Sequence, residues 1–365
     1  MALTLSSYIA QVYFSAQVPE ITYSTDDDRI DVEMIVGGDK VFGETFYPYG
    51  GRATVRDLRS LIEAHCEKRH DVYTSVTVSA SSPDGTRMQT EFAVIYCTFI
   101  SSVQAASFVV NHFLTTRTAK ILPRHELAVD YLSLYADGNS SFLWRYLITY
   151  TKDGVTRSSY IDNEPLTTQQ RGVVAVAIRY AEIRNKTEQL FGPGIRLLSF
   201  AVEIGERSFM YFVQDHLPKA MFLFANAFGC MEMALLDCET TDKVTTSRSI
   251  AVINGRSEFY NREHTKEYEV QSAPLTDEQS RWLEQMFTSY NVRHVKDYSE
   301  IEDDDLGNPE EILITDFTNE ICDSDTELNT VKFTWQYAFN RPYIELRGKS
   351  LERRVFSGEY SKPFG

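Results

Sequence analysis

The stretch FLWRYLITYTKDGVTRSSYI, residues 142–161, decides the fold. Phe142, Trp144, Tyr146, Ile148 and Tyr150 recur at every second position. That spacing places them on one face of a strand. Asp153-Gly154 follows, a pair suited to the positive φ angles of a tight turn, and a second alternating segment returns over 155–161. The stretch reads as a β-hairpin.

The same local pattern recurs on either side. An earlier block has alternating segments over 30–36 and 40–47, joined at Gly37-Gly38 and followed by Thr54-x-x-Asp57. A later block has segments over 249–253 and 266–271, with Asn254-Gly255 in the connection and Thr276-x-x-Gln279 beyond. The central hairpin is followed by Thr167-x-x-Gln170. A Thr three residues before an acid or amide can cap a helix. Thr54 is therefore expected to open a helix over 55–68, with Leu58, Leu61, Ile62 and His65 on one face. Thr276 is expected to open one over 277–290, with Trp282, Leu283, Met286, Phe287 and Tyr290 as a core stripe. Thr167 differs, because Gly172 and the β-branched Val173, Val174 and Val176 predict a strand over 173–180.

Further strands are expected over 72–80, 91–99, 195–204, 208–214, 221–224, 231–236, 312–316 and 331–337. The 91–99 segment is apolar on both faces, which predicts an interior place in its sheet. The fold class is α+β, mainly β: repeated β-hairpin units with short capped helices, in β-sandwich or barrel-like domains. The expected division is an N-terminal hairpin-helix domain (1–120), a central β domain (121–215), a C-terminal hairpin-helix domain (216–346) and an extended arm (347–365).

Composition bounds the function. Of 365 residues, 43% are apolar, and 21 Tyr and 22 Phe accompany 3 Trp. This is enough for sizeable cores and favours strands and interfaces. A net charge of −16 repels polyanions, which argues against nucleic acid and anionic membrane as partners. Met1–Ala16 lacks a basic leader, and the apolar runs are too short to span a membrane. Cys66, Cys97, Cys230, Cys238 and Cys322 form no CxxC pair, which fits buried free thiols in a reducing cytoplasm. A reactive Cys66 beside His65 is the alternative, although neighbours on a helix point about 100° apart.

Catalytic motifs are absent from the sequence. No nucleophile elbow, zinc-protease, phosphate-loop or dinucleotide pattern occurs. Gly192-Pro193-Gly194 reads as a loop. The histidines at 65, 70, 112, 125, 216, 264 and 294 stand singly, without the spacing of a local zinc site. The acidic stretch over 300–327 contains no Lys or Arg. It reads as a solvated loop, a cation site or a contact for a basic subunit. Asp323-Ser324-Asp325-Thr326-Glu327 opens like a calcium loop but lacks the sixth-position Gly and the closing Glu. The expectation is a non-enzyme with no catalytic, cofactor-binding or metal residues.

The last third carries a resemblance. Asn226-Ala227-Phe228-Gly229, SRSIAVING (247–255), Tyr268-Glu269-Val270, Leu275-Thr276, Trp282-Leu283, residues 313–316 and NTVKFTWQY (329–337) resemble uncharacterised proteins of Bacteroidetes phages and prophages. Asn-x-Phe-Gly between two apolar strands is similar to a feature of phage proteins near the tail tip. The resemblance implies a structural subunit of a phage-like tail or baseplate. It would be made in the bacterial cytoplasm, end in a virion or tail-like particle, and contact copies of itself and other tail proteins. The alternatives are a carbohydrate-binding module or adhesin, with glycan as partner, and an enzyme whose catalytic residues are dispersed.

Overall fold

The computed structural model describes residues 3–97, 99, 102–296, 309–320 and 329–339. The greater part of the acidic stretch, Cys322 and the expected arm at 347–365 lie outside the described residues. Within them the chain is mainly β, with several sheets and the helices α1 (Leu58–Arg69), α2 (Ala105–Asn111), α3 (Tyr180–Phe191) and α4 (Asp277–Phe287).

The first hairpin forms as its alternation dictates. Ile30, Val32, Met34 and Val36 are buried, while Asp31 faces solvent. Gly37 and Gly38 turn the chain at φ of 56° and 91°, into Asp39–Phe46. The five-stranded sheet runs Val12–Phe14, Arg87–Ile95, Tyr73–Ser81, Ile30–Val36, Asp39–Phe46. Arg87–Ile95 is interior, as its apolar character predicts, though it starts and ends about four residues earlier than expected. The tight turn at 82–86, where the Ser82 N–H meets the Thr86 carbonyl at 2.9 Å, sets that earlier start. Helix α1 buries Leu58, Ile62 and Cys66 in the same core.

Thr54 does not cap that helix. It lies in the strand Arg52–Val55, opposite Thr22, and the two hydroxyls are 3.0 Å apart. Pairing with Ile21–Ser24 holds 52–55 extended, so the helix starts later, behind Asp57 at φ 56° with no side-chain cap.

In the central region five strands pair in the order Val155–Asp162, Trp144–Lys152, Arg196–Ile204, Arg207–Gln214, Ala119–Pro123. Tyr146, Ile148 and Tyr150 point into the core, and Trp144 is half-buried. Asp153 and Gly154 both take positive φ, as the turn reading requires. Val129–Asp137 pairs with Arg171–Arg179, which confirms a strand after Thr167. Helices α2 and α3 are not predicted from the sequence. No Ser, Thr, Asp or Asn immediately precedes α3, which grows directly out of a strand and buries Tyr180, Ile183 and Thr187.

The C-terminal sheet has seven strands, in the order Met231–Leu236, Ala220–Ala225, Val292–Val295, Glu310–Glu320, Thr330–Tyr337, Arg256–Ser272, Cys238–Ile253. The four-residue strand at 292–295 is too short to announce itself in the sequence. Thr276 caps α4 as expected. Its hydroxyl accepts the Gln279 N–H at 3.2 Å, and Gln279 Oε1 accepts the Thr276 N–H at 3.0 Å. Trp282, Leu283 and Met286 are buried beneath the sheet.

The cores are stitched together. Phe228 packs against Phe14, Phe99 and Phe108, with ring centroids 5.3–5.6 Å apart. Met221, Leu223, Met233 and Val295 join the central core that holds Leu132, Tyr146 and Phe200.

Candidate interaction site

The strands Cys238–Ile253 and Arg256–Ser272 form one antiparallel hairpin, closed by Asn254 and Gly255 at φ of 51° and 77°. A two-residue loop with both φ positive matches the twist of the strands it joins. Asn254-Gly255 marks the turn in the sequence, while the alternating segments mark only 249–253, beside the turn, and 266–271, at the root. The rest is largely polar, with Thr240, Thr241, Val244, Thr245 and Thr246 in one strand and Phe259 in the other as its strand-forming residues.

Only residues 268–271 of the hairpin pair with the neighbouring strand Thr330–Tyr337. Residues 244–267 pair only within the hairpin among the described residues. At the usual rise per residue this free ribbon extends about 30 Å. It carries apolar side chains in water: Val244 is 45% exposed, Ile250 62%, Val252 73% and Phe259 54%. Ile250 sits opposite Phe259, and the Arg248 guanidinium lies 5.3 Å from the Phe259 ring centroid. An isolated two-stranded ribbon is marginally stable in water, and an unpaired edge is a template for another chain.

The root is rigid by contrast. Tyr268 stacks on Trp335 at 4.2 Å, and both meet Tyr337 edge-on at 5.7 and 5.1 Å. Val270 and Cys238 enter the core under α4. Glu269 accepts hydrogen bonds from Lys243 on one side and Lys332 on the other, which hold its carboxyl down at about 2. Lys266 pairs with Asp242 at 3.1 Å, and Thr246 meets His264 at 2.9 Å further out.

Beneath the root lies a buried polar seam. Asn226 Nδ2 donates to the Leu114 carbonyl and to Glu232 Oε1, both at 2.9 Å. Its Oδ1 accepts the N–H groups of Phe228 and Cys230. Glu232 Oε2 accepts the Trp282 indole N–H at 2.6 Å. The Arg117 guanidinium lies 4.5 Å from the Trp282 ring centroid. Burial lowers its pKa, while Glu232 and Asp130 oppose that shift. Lys120 Nζ reaches Asp130 at 2.9 Å, and the Tyr211 hydroxyl donates to Asp130 at 2.8 Å. Two cations and two carboxylates balance here. The cavity beside them is about 40 Å³, room for a water and not for a substrate. The seam ties the units together, which is why Asn226-Ala227-Phe228-Gly229 is shaped as it is.

The histidines remain dispersed, and no group of three metal-ligating side chains occurs among the described residues. Cys66 is buried, and burial pushes its thiol up to about 12, which disfavours the thiolate beside His65. Cys97 and Cys230 are likewise buried, with thiols at about 11 and about 12. No described helix is long and apolar enough to cross a membrane.

No family model matches the chain, and no curated protein matches it. Among solved structures, a 1.5-MDa bacterial ice-binding adhesin concerned with host cell surface retention is 12% identical, covering 72% of this chain and 88% of its own, with a TM-score of 0.16. A Ca2+-stabilized adhesin by which an Antarctic bacterium binds ice is 12% identical over 75% of this chain and 70% of its own, with a TM-score of 0.15. Native E. coli alpha-2-macroglobulin is 7% identical over 88% of this chain and 24% of its own, with a TM-score of 0.20. TM-scores this low establish neither a shared fold nor a shared function.

Proposed function

We propose that the chain is a structural subunit that assembles with copies of itself, through the ribbon at residues 244–267. One observation carries this reading: a ribbon about 30 Å long, without a core and with Ile250, Val252 and Phe259 in water, projects from a rigid root. Covering it removes apolar surface from water and completes its hydrogen bonding. A heterologous contact of this kind closes into a ring when repeated. The resemblance of the last third to uncharacterised phage proteins, with Asn226-x-Phe228-Gly229 similar to a tail-tip feature, supports a phage-like tail or baseplate as the setting, where the chain works by contact and not by catalysis. The test is amide exchange across the ribbon at rising protein concentration. Protection of 244–267 that grows with concentration supports the reading. Rapid exchange at every concentration refutes it.

A second reading, carbohydrate binding or adhesion, is favoured by Tyr8, Tyr47 and Tyr49, which are exposed. Trp282 and Trp335, which would make stronger sugar platforms, are buried. A glycan array separates the two readings.

A further inference from the structure

A cavity of about 350 Å³ opens between α2 and the turn that joins Arg196–Ile204 to Arg207–Gln214. Its wall is largely apolar, with Val12, Ala106, Val109, Val110 and Phe142. That volume lies within the range of small-molecule sites. Two guanidinium groups, Arg171 and Arg207, and two carboxylates, Asp137 and Glu206, also line it, and the two cations differ. Arg171 is held by Asp137 at 2.8 Å and by the Tyr135 hydroxyl at 2.7 Å. Arg207 is 4% exposed and meets no carboxylate among the described residues.

Arg207 donates through Nη2 to the carbonyls of Val109 and Tyr135, and through Nε to that of His112. Nη1 has no acceptor among the described residues. It lies on the cavity side: a methyl group built on Gly205, which lines the cavity, would stand 3.7 Å from it. Glu206 sits at the rim, exposed. Burial lowers the Arg207 pKa and no acid opposes that shift, in contrast to Arg117. A buried cation facing an apolar cavity without a counter-charge is costly, and an anion within reach relieves that cost.

We propose that this cavity binds a small carboxylate with an apolar body, its carboxylate on Arg207 Nη1 and its body along Val109, Val110 and Phe142. The single cationic head favours a monoanion, and the wall favours an alkyl or aryl body. The site is separate from the ribbon and does not depend on the assembly reading.

The test is calorimetric titration of the full chain with octanoate and with octan-1-ol, repeated on Val110→Trp. The Val110 side chain is half-exposed on α2, lines the cavity and accepts no hydrogen bond from Arg207, so a larger side chain there narrows the cavity. The expected result is octanoate binding at least tenfold tighter than octan-1-ol, and weakened at least tenfold by Val110→Trp at an unchanged melting temperature. Absence of octanoate binding, equal binding of the alcohol, or binding untouched by Val110→Trp overturns the proposal.

Discussion

Glu232 accepts the indole N–H of Trp282 at 2.6 Å, with both side chains buried. The two residues belong to a strand and to the helix α4 packed beneath it, and Asn226 fixes the carboxylate from the other side. Replacing Asn226 by Ala strips Glu232 and the Leu114 carbonyl of a donor, and the Phe228 and Cys230 N–H groups of an acceptor. Breaking a buried charged network of this kind costs about 3–5 kcal/mol. Urea unfolding of Asn226→Ala should show that loss.

Lys120 and Asp130 make a second buried pair. Asp130→Ala leaves the Lys120 ammonium uncompensated and removes the acceptor of Tyr211, so a loss of about 3–5 kcal/mol is expected. Lys120→Met with Asp130→Leu should recover only the part due to the uncompensated ammonium, since the Tyr211 hydroxyl still lacks its acceptor. Urea unfolding of the single and double variants checks this.

The two Thr-x-x signals make opposite predictions. Thr276→Ala removes a working capping box and should cost about 1 kcal/mol. Thr54→Val keeps a β-branched residue in a strand and should change stability by less than about 0.5 kcal/mol. A thermal melt of each variant distinguishes a cap from a strand residue.

Glu269 gives the ribbon root a pH dependence. Its carboxyl lies at about 2, below the ordinary 4.5, because Lys243 and Lys332 bond to its charged form. A depressed folded value stabilises the fold fully above the ordinary value, and that stabilisation is lost as pH falls from about 4.5 through about 2. Amide protection at residues 268–271, taken relative to the intrinsic exchange rate at each pH, should fall as pH falls across that window in the native chain. Glu269→Gln should show root protection, taken relative to the intrinsic exchange rate at each pH, that is independent of pH there.

The sequence reading succeeded where local chemistry and tertiary context agree. The Asp153-Gly154 turn, the Thr276 cap and the core stripe of Trp282, Leu283 and Met286 all follow from spacing. It failed where tertiary pairing decides. Thr54 looked like a cap until Ile21–Ser24 claimed its backbone as a strand. Helix α3 begins without a cap residue, directly behind the Val-rich strand Arg171–Arg179, so neither periodicity nor punctuation marks its start. The ribbon was half visible: Asn254-Gly255 announced its turn, but its polar flanks concealed its length. Asn226 stood out as part of a motif, but its four hydrogen bonds reach residues as distant as Leu114, which no local pattern reveals. The Arg207 cavity left no trace in the sequence, because its walls come from segments far apart along the chain.

The central claim is that the ribbon joins one copy to the next. Light scattering of the purified full chain, beside a variant carrying Val252→Glu and Phe259→Glu, tests it most directly. The account predicts a discrete oligomer for the native chain and a monomer for the variant, with both retaining the same far-UV circular dichroism spectrum. A native chain that stays monomeric at every concentration, or a variant that keeps the native mass, would contradict it.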